Sequence, residues 1–356
     1  MGLLPGPAEA GGVPFDASIL ELARANLELR TVSRVLVRLG SFHARALGEL
    51  ERKAALLPFA DWLPGDTTLR LRVTCHKSRL YHQRAIAERV VRASGLAGAA
   101  APGPEGEDDE GAAAQLVVVR LVRDEVTVSL DSSGALLHRR GYRQASGKAP
   151  LRETLAAALL LASGYDGTLP LVDPFAGSGT IAIEAALLAR RMAPGLVRGF
   201  ACQRWRGWPA AEWAALLAAA RTRVLARAPA AILLSDRDAG AVRSARSNAE
   251  RAGVAADIRF ETRAVSALEA LAGPGLVVTN PPYGVRVSEG RDLRDLYARL
   301  GQVLAERLPG FGLTLLLPAE PLERATGRLF KVLFRTANGG IPVRAVAAVD
   351  GPGGAA

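Results

Sequence analysis

Two short stretches carry residue types that could do chemistry. The first is Thr279-Asn280-Pro281-Pro282-Tyr283-Gly284, which follows the apolar pair Val277-Val278. Successive prolines stop regular structure and stiffen the chain, and they lack N–H groups but keep their carbonyls. A carboxamide beside a rigid row of carbonyl oxygens can accept hydrogen bonds from an exocyclic amine, and a tyrosine ring can stack on the base that carries it. Asn280, Pro281, Pro282 and Tyr283 are therefore candidates for holding an NH2 group while its nitrogen is alkylated. The second stretch is Asp173-Pro174-Phe175-Ala176-Gly177-Ser178-Gly179-Thr180. An apolar strand from Leu169 to Val172 precedes it and a helix from Thr180 to Ala189 follows. A glycine turn between strand and helix lets a ligand approach the backbone, the physical basis of nucleotide-type cofactor sites in doubly wound sheets. A plain tight turn would use the same glycines, and a plain Pro-Pro loop the same prolines. It is the pairing of the two stretches that points to a site.

A third position belongs with them. The strand Ala231–Leu234 runs into Ser235-Asp236-Arg237-Asp238, and a carboxylate closing a strand there can accept from both hydroxyls of a ribose. Asp236 takes that role beside Arg237, while Asp238 reads as the cap of a helix from Ala239 to Ala252. The phrases DPFAGSGT and NPPY together resemble the S-adenosylmethionine-dependent amino-methyltransferases of the Rossmann-like class. RGYR (140–143), APLRETLAA (149–157), DPFAGSGTIAIEAA, SDRD and NPPYG extend the resemblance to the THUMP-containing guanine-N2 RNA methyltransferases, over roughly Gly11 to Val349. The resemblance implies S-adenosylmethionine bound by Asp173, Pro174, Phe175, Ala176, Gly177, Ser178, Gly179, Thr180, Asp236, Arg237 and Asn280. It also implies direct methyl transfer to a guanine N2 amine in RNA, with 23S ribosomal RNA favoured and transfer RNA as the alternative. A DNA adenine or protein glutamine N-methyltransferase, or a non-catalytic RNA-binding protein, are the competing classes. One departure is Ala264, where related enzymes often place an acidic residue for the adenine amine. Another is the N-terminus, which opens at what looks like the tail of a ferredoxin-like unit.

Composition narrows the partners. The 356 residues carry a net charge of +10, with 49% apolar and 22% charged side chains. The basic balance favours an acidic partner such as nucleic acid, although only four of the basic residues are lysines and the Arg/Ala/Gly bias of a GC-rich genome would add charge in the same direction. Two distant cysteines, Cys75 and Cys202, give neither a disulfide framework nor a zinc set, so no metal is expected. The absence of a long apolar run and of a signal-like start points to a cytoplasmic protein with no membrane partner.

The elements that must position these residues form an α/β pattern: a partial ferredoxin-like segment (1–45), a THUMP-like RNA-binding region (46–140) and a Rossmann-like methyltransferase region (141–356) with a mostly parallel sheet of about seven strands. Helices are expected over Ala17–Glu28, Ala44–Ala55 and Arg291–Leu308, and strands over Ser33–Leu39, Thr68–Cys75, Ile258–Glu261 and Gly312–Leu317. A hairpin turns at Arg123-Asp124 and a terminal one at Asn338-Gly339-Gly340. The acidic low-complexity stretch Leu96–Gln115 reads as a disordered insertion. Arg30 and Arg34 could line an RNA-facing side. His76 and Lys77, with Ser78, read as a phosphate grip at a helix N-terminus, and Arg79 and Arg84 extend its basic face. Trp205 and Trp208 sit in an insertion-like segment, Arg190–Arg223, where covering an apolar cleft competes with stacking on RNA.

Overall fold

In the computed structural model of the chain, residues 2–9, 11–100, 114–143, 151–283, 293–318 and 322–349 are described. Gly284, Pro150, Arg291 and most of the acidic stretch lie outside them. In chain order the elements are α1 (Ile19–Glu28), β1 (Leu36–His43), α2 (Leu47–Ala54), α3 (Phe59–Trp62), β2 (Thr68–His76), α4 (Gln83–Ser94), β3 (Ala97–Ala100), β4 (Gln115–Val122), β5 (Glu125–Asp131), α5 (Glu153–Ala162), β6 (Leu171–Asp173) and α6 (Thr180–Ala189). They continue as α7 (Ala210–Thr222), β7 (Ile232–Asp236), α8 (Ala239–Arg251), β8 (Ile258–Thr262), β9 (Gly275–Thr279), α9 (Arg294–Arg307), β10 (Phe311–Pro318), β11 (Phe330–Asn338) and β12 (Ile341–Ala348). They group into two compact units, residues 1–137 with 197–219, and residues 138–196 with 220–356.

The first unit is built on a five-stranded sheet in the order β1-β5-β4-β2-β3. Its β4–β5 hairpin turns at Arg123-Asp124, both with positive φ, as a two-residue loop matching the strand twist requires. β3 corrects the expectation for the acidic stretch: Ala97–Ala100 pairs in parallel with Thr68–Leu71, and Gln115 already belongs to β4. Small residues hid this strand, because alanine and glycine carry no β-branched signal, yet Gly98 lies against β2 so closely that a Cβ would meet the Leu69 carbonyl oxygen at 2.6 Å. Segment Val197–Ala219 belongs to this unit as well. Trp205 is buried there, its indole N–H donating to Gln115 Oε1 at 2.7 Å, with Trp62 edge-on at 5.4 Å. Its ring covers core, and no face is left for RNA.

The second unit holds a seven-stranded sheet in the order β11-β12-β10-β9-β6-β7-β8, parallel except for β12. The fold is therefore the α/β, Rossmann-like, mostly parallel arrangement expected. Alternation along the buried strands splits the core. Leu171, Leu276 and Val278 face α5, α6 and α8, while Val172, Val277 and Leu313 face Tyr297, Leu300, Val303 and Leu304 of α9. α6 spans the expected residues because Gly179 starts it in the left-handed region (φ +82°) and, Thr180 and Glu184 apart, its sequence is apolar on all sides, as suits a helix buried all round. The chain runs β6→β7→β8 in one direction and then returns to place β9 on the other flank of β6. This makes the gap between the carboxyl ends of β6 and β9 the topological switch point, where ligands of open α/β sheets bind.

Candidate active site

The glycine turn and the proline loop leave those two neighbouring strands. β6 and β9 pair Leu171 with Leu276 and Val172 with Val277, so Asp173 and Thr279 end the strands side by side. Thr279 Oγ1 donates to Asp173 Oδ1 at 2.6 Å and the Phe175 N–H adds a bond at 3.3 Å. Burial pushes the Asp173 carboxyl up to about 7, aided by the negative charge of Asp236 and opposed by the two hydrogen bonds, which favour the charged form.

The turn itself is held from outside. Ala176 N–H donates to Ser235 O at 3.1 Å and Gly177 N–H to Asp236 Oδ2 at 2.9 Å. Asp236 Oδ1 accepts from the Asp238 N–H at 3.0 Å. A glycine turn before a helix can offer its backbone N–H groups to a ligand, and the Gly177 N–H is one of those in question. The structure gives it to Asp236, and Gly177 supplies space: its φ is +51° and nothing lies within 4 Å of where a Cβ would stand. Each carboxylate oxygen has two lone pairs, so Asp236 keeps acceptor capacity for two hydroxyls. Gly179 is needed for a different reason, since a Cβ there would meet Ala245 Cβ at 2.8 Å. Pro174 and Ala176 are buried, Phe175 and Ser178 half-buried, and Arg237 exposed. Asp238 caps α8 by accepting from the Gly240 N–H.

Residues that the sequence reading did not assign to the site set its position. Asn248 Nδ2 donates to Ser178 O at 3.0 Å, and Arg251 ties Asn248 Oδ1 to Tyr142 O. Arg143 Nη2 donates to Thr180 Oγ1 at 2.8 Å and to Leu151 O at 2.6 Å. Behind the turn, Glu184 of α6 is fully buried with Arg140 at 3.5 Å and the Tyr142 hydroxyl at 3.2 Å. The phrase Arg140-Gly141-Tyr142-Arg143 thus grips the turn-helix unit at Ser178 through Arg251 and Asn248, at Thr180 and at Glu184 in the middle of α6. A buried Glu in an otherwise apolar helix was the available signal.

The proline loop is held by aromatic hydroxyls. Tyr297 OH donates to Pro282 O at 3.4 Å, and Asn338 Nδ2 donates to Tyr283 OH at 3.0 Å. Pro281 is buried and Tyr283 half-buried against the core, and burial pushes the Tyr283 hydroxyl upward. Asn280 Oδ1 is closed off from solvent and has no hydrogen-bond partner among the described residues. A buried acceptor left open is costly unless something fills it, and it stands at the switch point. Ala264 starts a short 3-10 turn after β8, and the neighbouring Arg263 N–H donates to Asp236 O at 2.8 Å.

The basic residues assigned to RNA lie in the first unit and are not one group. The Arg34 side chain is nearly closed off from solvent and paired with the buried Asp131, with a further bond to Gly134 O at 2.6 Å, so its guanidinium is engaged inward and not presented to a ligand. Arg30 is half-buried and engaged by other groups. His76, Lys77, Arg79 and Arg84 are exposed. His76-Lys77-Ser78 does not start a helix, however: α4 begins at Gln83 after His82, and the turn at Lys77 (φ +49°) is pinned to Asp124 through the Arg79 N–H. Tyr81 precedes the helix, is 66% exposed and lies 4.1 Å from the His82 ring. No helix among the described residues is long and apolar enough to cross a membrane, and no group of His, Cys, Asp or Glu among them could hold a metal ion.

The mostly parallel sheet, with a glycine turn and a proline loop at its switch point, has the architecture of the Rossmann-like methyltransferases. Residues 140–329 match the RMKL-like methyltransferase domain and residues 1–36 the RlmL ferredoxin-like domain, and the chain belongs to the RMKL-like methyltransferase family. It is 36% identical over 332 residues to YpsC of Bacillus subtilis, provisionally named an RNA methyltransferase, covering 89% of this chain and 83% of that protein. It is also 36% identical over 364 residues to the ribosomal RNA large subunit methyltransferase K/L of Syntrophotalea carbinolica, covering 97% of this chain and 50% of that protein. The chain thus spans about half the length of the K/L relatives. Among solved structures it resembles a predicted N6-adenine-specific DNA methylase from Listeria monocytogenes, with TM-score 0.82, 32% identity and coverage of 97% and 90% of the two chains. SMU.472, a methyltransferase by provisional assignment complexed with SAH, superposes with TM-score 0.87 at 26% identity, covering 98% and 92%.

Proposed function

We propose that this chain transfers a methyl group from S-adenosylmethionine to the exocyclic N2 amine of a guanine in RNA, with 23S ribosomal RNA as the favoured substrate. The observation that carries this reading is the open acceptor, Asn280 Oδ1, placed at the switch point beside the glycine turn. The residues present fit the cofactor: Gly177 leaves room above the turn and Asp236 has lone pairs to spare for ribose hydroxyls. When bound, S-adenosylmethionine supplies an electrophilic methyl carbon.

A guanine N2 amine has its lone pair delocalised into the ring, so the site has to turn the nitrogen toward the methyl and accept its hydrogens. Asn280 Oδ1 accepts one hydrogen. The Pro281 carbonyl, next in the chain, is the second acceptor, while that of Pro282 takes the Tyr297 hydroxyl. Tyr283, held by Asn338, stacks on the base, which has to leave its helix or stack to reach the loop. The exposed turn His76–Arg79 and the Tyr81–His82 ring pair support RNA placement by the first unit.

An adenine N6 amine would fit the same acceptors, and the Listeria relative's name keeps that reading in view. Nucleoside mass spectrometry of RNA and DNA from a deletion strain, with and without the gene restored, separates them. Loss of N2-methylguanosine from one RNA species supports the proposal. Loss of N6-methyladenine alone, or no change in either, overturns it.

A further inference from the structure

A second opening in the catalytic unit is not used by the chemistry above. It is a cleft of about 430 Å³ between the outer hairpin and the segment after β10, lined by Glu323, Arg324, Arg335, Thr336 and Arg344 among others. Three guanidinium groups face it against one carboxylate, and that carboxylate is spoken for. Glu323 is buried and pairs with Arg344 at 2.8 Å, while Arg344 Nε also donates to Pro318 O at 3.3 Å, which fixes the floor. Arg324 and Arg335 are exposed and have no ion-pair partner among the described residues.

Topology brings this cleft to the active site. β11 is antiparallel to β12, and β12 antiparallel to β10, so β11 runs parallel to β10 and ends at the same edge of the sheet as β6 and β9. Arg335 pairs with Arg344 and Thr336 with Val343, and Asn338 at the end of the strand holds the Tyr283 hydroxyl. Three residues of strand, roughly 10 Å, therefore separate Arg335 from the residue that anchors the stacking tyrosine.

We propose that this cleft binds a backbone phosphate of the RNA substrate next to the target nucleotide. The inference rests on the RNA reading of the active site. Guanidinium groups match phosphate oxygens in planar, two-pronged geometry, the Thr336 hydroxyl adds a donor, and the paired Arg344 keeps the floor positive without collapsing onto a neighbour. A flipped base drags its flanking backbone to the rim of the pocket that receives it, and this rim is where the unpaired arginines stand. The sequence reading put the RNA contacts in the first 140 residues; this contact lies in the catalytic unit.

The test uses the full chain and RNA that lacks the modification. The double variant R324A/R335A should bind RNA about tenfold more weakly, and its log–log salt slope should shrink by about 1.4, that is ~0.7 for each of two lost phosphate contacts on a single strand. Affinity for S-adenosylmethionine, measured by calorimetry, should be unchanged, and R324K/R335K should keep most of the slope. An unchanged RNA affinity and slope in R324A/R335A overturns the assignment. Should the double variant misfold, R335Q, on an exposed edge strand, reads half the slope change and serves the same purpose. The two readings fail differently. A wild-type protein whose RNA binding needs the arginines but which forms no N2-methylguanosine overturns the amine chemistry and leaves the cleft standing. Normal product formation with an insensitive slope overturns the cleft alone.

Discussion

The turn after β6 is held by polar side chains reaching in from other elements, among them Asp236, Asn248, Arg143 and the Arg140–Glu184 pair. The loop after β9 is held by two prolines and by the hydroxyls of Tyr297 and Tyr283. The first arrangement is a network of side-chain hydrogen bonds, which still leaves Arg143 Nε, Glu184 Oε2 and Ser235 Oγ without hydrogen-bond partners among the described residues, and it keeps empty space above Gly177. The second is rigid and leaves one polar atom, Asn280 Oδ1, without a partner among the described residues. The contrast teaches where each kind of recognition comes from. A cofactor turn needs a backbone fixed in shape, which charge-assisted hydrogen bonds supply. A loop can keep an acceptor unsatisfied only if its stiffness comes from something other than hydrogen bonds to that acceptor.

The largest effect should come from breaking the scaffold of the turn. Arg140→Ala strands a buried Glu184 and should cost about 3–5 kcal/mol of stability, read by denaturant unfolding; a loss under 1 kcal/mol would mean that the turn is not held this way. Next is the acid that joins the two loops. Asp173 titrates near 7 in the folded chain against 3.8 when free. The folded form therefore binds the proton more tightly, and this stabilisation is full below about pH 4, declines as pH rises and is gone above about 7. Thermal melts across that range should show the decline in the wild type relative to Asp173→Asn, where it is absent. Parallel curves would show that Asp173 is charged throughout.

Asn280→Ala tests the open acceptor. Turnover should fall by about 10²–10³-fold while cofactor affinity stays within about twofold, because the lost contact is made with the reacting amine. Equal losses in both would place Asn280 on the cofactor instead. Asp236→Ala should do the reverse, weakening S-adenosylmethionine by ~1.5–3 kcal/mol in calorimetry. Unaltered affinity would remove it from the ribose. The smallest effect is expected from Tyr283→Phe, which keeps the ring and loses the bond from Asn338, about 1 kcal/mol of stability, with most methyl transfer retained. If Tyr283→Phe is as inactive as Tyr283→Ala, the hydroxyl and not the ring is what the reaction uses.

Much of the catalytic half was legible in the sequence because its signals are local. The span of α6, the cap at Asp238, the Gly339-Gly340 hairpin with both φ positive, and the end of β7 at Asp236 all follow from neighbours in the chain. What was missed depends on distant partners. Arg34 looks like any surface arginine until Asp131, far along the chain, is placed beside it. Tyr297, Asn338 and Asn248 meet the two loops only through the sheet order. β3 failed for a local reason, since alanines and glycine next to an acidic run imitate a linker.

The return of Val197–Ala219 to the first unit makes the chain cross between units three times, at 137/138, 196/197 and 219/220. No single cut therefore yields two self-sufficient pieces. A fragment beginning at residue 138 would carry Phe200, Trp205 and Trp213 away from Gln115, Ser132 and Trp62, turning a buried aromatic group into a sticky surface. The remaining 1–137 fragment would lose the indole that caps Gln115. In this chain the excursion Val197–Ala219 therefore has to stay in one molecule with residues 1–137 for that aromatic group to remain buried.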